Sequence, residues 1–238
     1  PFCGLYGACS TMALSLIGAS LAIESGGFDC TLAATSSHFC SAEKQFRYPL
    51  EYGGQRPPTS QWTVTGAGAA VLESKKGDYP YINSIHIGTI QDLGVTDANN
   101  MGAAMAPAAR STISDFLRDT GTSPSDYDLI LTGDLGAVGS ELLRELLIKE
   151  DGIDISSVHK DCGLLIYDRD SQDVHSGGSG CGCSASVLCS YILNAMKKGE
   201  YGNILFIATG ALMSPVSSRE GESIPGIAHL VNIRRERD

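Results

Sequence analysis

The chain opens on a small-residue turn, GLYGACST. A run of apolar and small residues follows, broken by no charge until Glu24. This pattern predicts a helix over 10–25, capped by Ser10 or Thr11 and ended by Gly26 and Gly27. Apolar on almost all sides, it is expected to be buried. CTLAATS, 30–36, predicts a buried strand. Residues 37–61 interrupt the pattern with Pro49, Pro57, Pro58 and the Gly53–Gly54 pair, and predict a long structured loop, a common place for function. Beyond it, WTVTGAGAAVLE (62–73) and YINSIHIGTIQ (81–91) predict two strands joined by SKKGDYP. A helix is expected over 107–119, with Pro107 in its first turn. A strand over 128–133, an amphipathic helix over 138–149, a helix over 183–198 and strands over 203–210 and 225–234 complete the prediction.

One segment echoes another. GACSTMALSL…CTLAATS matches CGCSASVLCS…ILFIATG at a constant offset, so that Cys9 meets Cys183, Leu14 meets Leu188, and Ala34–Thr35 meet Ala208–Thr209. Each is a Cys-Ser turn, a buried helix and a buried strand ending Ala-Thr, the order expected of an ancient duplication.

Composition narrows the class. Hydrophobic residues make up 42% of 238 and charged residues 18%, enough for a sizeable core, and 28 glycines fit the many tight turns of an α/β protein. Seventeen basic against 27 acidic residues give a net charge of −10, which disfavours a nucleic-acid partner but leaves room for a local anion pocket. Eight cysteines at irregular spacing in a chain this large point to free thiols in a reducing compartment. No apolar run approaches a membrane span. The chain begins at Pro1 rather than Met, which leaves room for a preceding region.

Cys9 is the foremost chemical candidate. At a helix N-terminus the dipole and free backbone N–H groups lower a thiol's pKa, and the same N–H groups can cradle an oxyanion. The alternative is a small buried residue in a tight turn. His159, Cys162, Cys181 and Cys183 form a weaker zinc-type set, and Cys-x-Cys is tighter than the usual spacing, so no metal is expected. KKGD (75–78) and RRER (234–237) read as solvated strand ends.

GLYGACST before a buried helix resembles the nucleophile elbow of thiolase-fold condensing enzymes. WTVTGAGAAVLE resembles a glycine-rich strand of that superfamily, and HSGGSGCGCSASVL (175–188) the turn and helix of its second half. The resemblance covers essentially the whole chain and implies a thiolase-like, duplicated αβα sandwich. The halves fall at 1–92, carrying the loop, and 93–238. It also implies about a hundred further residues ahead of the elbow in one large domain, which this chain does not contain.

Condensing enzymes pair the cysteine with His, or His and Asn, for proton handling. In this sequence Gly133 or Asp134 stands where one His belongs, and Cys181 where the Asn belongs. His38 and His175 remain as candidate bases. Asp134 would oppose a nearby thiolate. These departures favour a pocket kept for binding, with Cys9 the relic of a nucleophile.

The segment 36–66, SSHFCSAEKQFRYPLEYGGQRPPTSQWTVTG, carries a narrower resemblance, to a family of sporulation proteins within the superfamily. That resemblance implies binding of dipicolinic acid (pyridine-2,6-dicarboxylate) and help in moving it into the developing spore. It further implies a peripheral position on the cytoplasmic face of the spore inner membrane, contacts with other stage V membrane proteins, and a homodimer. Whether calcium accompanies the ligand stays open. A planar dianion calls for cationic groups and flat partners. Lys44, Arg47, Arg56, His38 and Trp62 offer both, and Arg56 in GGQRPP is the foremost carboxylate clamp. The N–H groups at Cys9–Thr11, with Ser10, could hold the second carboxylate, and His175 and Cys181 are expected nearby. Two alternatives stand beside this reading: an active acyl-thioester condensing enzyme using Cys9, and a scaffold with a vestigial pocket.

Overall fold

The structure, a computed structural model, describes residues 1–46, 54–75 and 77–235. Helix α1 (Thr11–Glu24) buries Met12, Leu16 and Ile17 and returns through a short turn to strand β1 (Cys30–Ser37). The expected strand over 62–73 is two strands. β2 (Trp62–Thr63) and β3 (Gly66–Glu73) part at Val64–Thr65 because they serve different partners. β3 runs antiparallel to β1, Ser37 opposite Gly66 and Cys30 opposite Glu73. Next come β4 (Tyr81–His86), α2 (Met101–Thr120), β5 (Leu129–Thr132) and α3 (Gly136–Leu146). Short elements follow: β6 (His159–Asp161), α4 (Cys162–Leu165) and β7 (Gly178–Ser179), which pairs in parallel with β2. Helix α5 (Cys181–Ser186) continues through wider turns into α6 (Leu193–Lys197). β8 (Asn203–Ala211), α7 (Pro215–Glu220) and β9 (Gly226–Arg234) complete the described elements.

A five-stranded sheet runs in the order β4-β9-β8-β5-β6, with β5 parallel to β6 and β8, and β9 antiparallel to its neighbours. One face carries α2 and α3 around Met105, Ile113 and Leu143. The other face packs on α1 and α5 around Phe206, Met12 and Leu188, and those helices are covered in turn by the β1–β3 pair. Helices sandwiched between two sheets must be apolar all round, and α1 is. The echo in the sequence has a structural counterpart. α1–β1–β3 and α5–α6–β8–β9 are both helix, strand, antiparallel strand.

Further expectations are corrected. β1 is not buried along its length, since alternate residues such as Leu32 are exposed on the outer face of the β1–β3 pair, and β4 stops at His86 rather than reaching 91. α2 begins six residues before Pro107, with the Asn100 side chain accepting from the Ala103 N–H at 3.4 Å, so the proline sits inside the helix and is buried. A preference for proline in first turns misplaced the start, and the small residues of MGAAMA carry the helix across it. The charged strand ends are not merely solvated, since Arg235 pairs with Asp78 at 3.0 Å. Among the described residues no helix is long and apolar enough to cross a membrane.

Candidate functional site

Cys9 sits in the turn before α1. Ala8 has φ +50°, a left-handed conformation seldom adopted by a residue with a Cβ. The turn is closed by Ser10 N–H to Gly7 O at 3.0 Å and Thr11 N–H to Ala8 O at 3.3 Å. The Ser10 and Thr11 N–H groups are therefore engaged within the turn, which leaves the Cys9 N–H as the one of the three expected donors outside these bonds. The buried Ser10 hydroxyl likewise donates to Gly7 O at 2.6 Å. The elbow seats against β8 because Gly210 has no side chain; a Cβ there would lie 2.6 Å from Gly7 O.

Carboxylates, not a histidine, surround the thiol. Cys9 Sγ donates to Glu43 Oε1 at 2.8 Å, and Thr63 Oγ1 to Glu43 Oε2 at 2.7 Å. Asp134, in the turn after β5, is 1% exposed. Its Oδ2 accepts from Gly180 N–H at 2.8 Å and Ser179 Oγ at 3.2 Å, and its Oδ1 from Thr209 Oγ1 at 2.9 Å. The Cys9, Glu43 and Asp134 ligand atoms lie within 4.8 Å of one another, close enough to share a metal ion. Of the two residues expected at the His position, Gly133 and Asp134, it is Asp134 that adjoins Cys9; Glu43 gave no motif signal in its loop.

The electrostatics reverse the helix-terminus argument. Burial pushes the Cys9 thiol well above its ordinary range, and Asp134 and Glu43 push it further. Burial, then Glu43, raise Asp134 to about 7. Cys9 is thus held as a neutral thiol, donating a hydrogen bond. In the intact fold Cys9 is expected to alkylate with iodoacetamide at pH 8 at least roughly tenfold slower than exposed Cys3. Peptide mapping by mass spectrometry reads the ratio, and Glu43→Gln should narrow it.

The other expected residues fall into two groups. Arg56, 9% exposed, stacks over the Trp62 ring with Cζ 4.6 Å from its centroid, and the Trp62, Phe39 and His38 rings continue the stack at 6.5 and 5.3 Å. Arg56 Nη2 donates to the Asp173 backbone carbonyl at 2.5 Å and pairs with its Oδ2 at 2.9 Å; Nη1 is buried without a partner. His175, at φ +47°, meets Asp173 Oδ1 at 3.0 Å through Nε2, so its partner is Asp173. Cys181 Sγ donates to Ser36 O at 3.2 Å. Lys44 lies in a short 3₁₀ turn, Lys44–Phe46, and Arg47 lies outside the described residues. Of the zinc-type set, His159 Nε2 contacts Thr132 Oγ1 at 2.9 Å, and the four side chains do not converge.

A cavity of about 610 Å³ opens beside the elbow, lined by Tyr6, Asp92, Met213, Glu222 and Pro225 among others. Partial burial, then the charges of Cys9 and Glu43, raise the pKa of Tyr6, which is mostly exposed at the rim of this cavity.

A family model described as stage V sporulation protein AD matches residues 1–234. The chain belongs to that family. It is 49% identical over 235 residues to stage V sporulation protein AD of Bacillus subtilis (strain 168), covering 99% of this chain and 69% of the relative. Membership in the family supports a role in sporulation. Among solved structures, the chain is similar to 3-oxoacyl-[acyl-carrier-protein] synthase III from Aquifex aeolicus VF5. That match has a TM-score of 0.54 at 14% identity, over 97% of this chain and 66% of that one. It is also similar to Acat5 thiolase from Ascaris suum in complex with coenzyme A, with a TM-score of 0.56 at 12% identity, over 98% and 78%. At such identities the likeness shows the fold, which is thiolase-like. The chain spans about two thirds of the length of the first two of these proteins.

Proposed function

We propose that this member of the family is a non-catalytic binding protein for dipicolinic acid that assists its uptake into the developing spore. The observation that carries the non-catalytic part is the Cys9 environment. The thiol donates to one carboxylate and lies beside a second, where an acyl-transfer site needs a thiolate and a cationic or neutral proton carrier. The ligand class is supported by the stack built on Arg56, which offers flat faces and a buried guanidinium nitrogen without a partner. Work at the cytoplasmic face of the spore inner membrane, as a homodimer alongside other stage V membrane proteins, belongs to the same reading. Calcium is a natural companion for a dianion approaching an acidic protein.

One observation favours a second reading, an active condensing enzyme. Asp134 adjoins Cys9 and titrates near neutrality, so it could accept a proton in place of the missing His. Calorimetric titration of the full-length protein with pyridine-2,6-dicarboxylate, beside acetyl-CoA with mass spectrometry of Cys9, separates the two. Saturable binding without acylation is expected, with Arg56→Ala weakening it by roughly 10- to 100-fold. An acetyl adduct on Cys9 without dicarboxylate binding would establish the enzyme instead.

A further inference from the structure

The Asp173 carboxylate is placed as a guest rather than as part of the frame. Its side chain is 82% exposed, yet both its oxygens are held, Oδ2 by buried Arg56 at 2.9 Å and Oδ1 by His175 at 3.0 Å. The receptor is built from the other side. Arg56 is fixed between the Trp62 ring and the Asp173 backbone carbonyl, and its Nη1 is left buried without a partner. The loop carrying Asp173 is tied back separately, by Arg169 Nε to His175 O at 3.0 Å and Gly177 N–H to Val174 O at 2.9 Å. Those ties do not need the Asp173 side chain. A buried guanidinium with a spare donor facing an exposed, replaceable carboxylate is a site already occupied by a substitute.

We infer that Arg56 and His175 form a carboxylate-binding subsite, and that Asp173 is its resident stand-in, displaced when a ligand carboxylate enters. The inference rests on the ligand-binding reading above and names which group of the protein competes with the ligand. Displacement exchanges one charge-assisted pair for another, so the net gain comes from the ligand's added contact with Nη1 and its flat face beside Trp62. Swinging into water costs Asp173 little, because it is already mostly exposed. The subsite therefore favours planar carboxylates over a bare small anion, which offers no ring.

The test is calorimetric titration of the full-length protein with pyridine-2,6-dicarboxylate. Wild type, Asp173→Asn, Asp173→Ala and Arg56→Lys are compared, with each variant's thermal midpoint measured as a check on folding. The emission difference between the protein and its Trp62→Phe variant serves as a local readout of Trp62, which stacks on Arg56. Both Asp173 variants are expected to bind roughly tenfold tighter, with a change in Trp62 emission at saturation, and Arg56→Lys at least tenfold weaker. Unchanged or weaker binding by folded Asp173 variants, with Arg56→Lys still weakened, would make Asp173 a support for Arg56. That outcome overturns the displacement and leaves the binding function standing. No binding by wild type or by either Asp173 variant would overturn the function and the subsite together.

Discussion

Asp134→Asn is expected to stabilise the protein at pH 8 by roughly 2–4 kcal/mol, and by much less near pH 4. The carboxyl is buried, and its pKa is raised from 3.8 to about 7 by burial and by Glu43. An acid whose folded pKa lies above its unfolded one binds its proton more tightly when folded. Its contribution is therefore complete below the unfolded pKa and is lost as pH rises toward the folded value, here between about 4 and 7. Asparagine reproduces the protonated form. Turned with its oxygen toward Gly180 N–H, it presents its amide to Thr209 Oγ1, which already borders Asp134 at 2.9 Å. The measurement is the thermal midpoint of variant against wild type at each pH, because other groups titrate in the same window. Asp161, raised to about 6, tilts both proteins the same way as Asp134. His159, lowered to about 4 by burial, tilts them oppositely, its contribution growing up to the unfolded value of 6.5. The difference between the two proteins isolates Asp134, and at roughly 2–4 °C per kcal/mol it should approach 10 °C at pH 8. A difference constant across pH would show that Asp134 is not held as a shifted acid.

Asp134 also marks how far the sequence reaches. Its place just after a strand was legible in ILTGDLGA, where the resemblance to condensing enzymes left Gly133 or Asp134 at the position of a His. Its partners were not. Glu43 comes from a loop with no periodicity, Ser179 from a two-residue strand, and Thr209 from the end of β8; only the tertiary fold brings them together. The long elements were legible for a physical reason. β8 and β9 are buried along nearly their whole length, and α1 buries six of its fourteen residues in an almost uncharged run, so their apolar patterns are unmistakable. β6, α4, β7 and α7 span two to six residues, too few for a period to show. The Cys-Ser echo was informative because the duplicated units keep the same helix–strand–strand order. The helix-terminus argument for a reactive Cys9 failed because it could not count burial, which raises the thiol most, or Glu43, which adds to the opposition expected of Asp134. Arg56 was chosen for its stiff turn, and the structure adds Asp173, whose exposed position carries no sequence signal.

Gly182→Ala is expected to lower the thermal midpoint by about 5–12 °C, the effect of roughly 2–4 kcal/mol of overpacking in a chain of this size. Gly182 lies in the first turn of α5, and its φ is not in the left-handed region, so conformational freedom is not the issue. Space is. A Cβ there would lie 2.4 Å from Gly66 O, 2.5 Å from Ser37 Oγ and 2.8 Å from Ser37 N. Two of those three atoms are backbone, on both strands of the β1–β3 pair, so no side-chain rotation relieves the clash. The third, Ser37 Oγ, accepts from Gly182 N–H at 3.0 Å and donates to Val64 O at 2.7 Å, and both bonds would be strained. Alanine's better helix propensity returns only about 1 kcal/mol. The site should suffer with the fold, because Ser179 and Gly180, two of the donors to Asp134, lead directly into this helix. Gly4→Ala is the matched control. Nothing lies within 4 Å of a Cβ at Gly4, and its midpoint should stay within about 1–2 °C of wild type. Thermal unfolding of both variants followed by circular dichroism decides the matter. A Gly182→Ala midpoint equal to that of Gly4→Ala would mean that α5 is free to lift from the β1–β3 pair, and the close docking that sets Asp134 beside Cys9 would no longer account for the site.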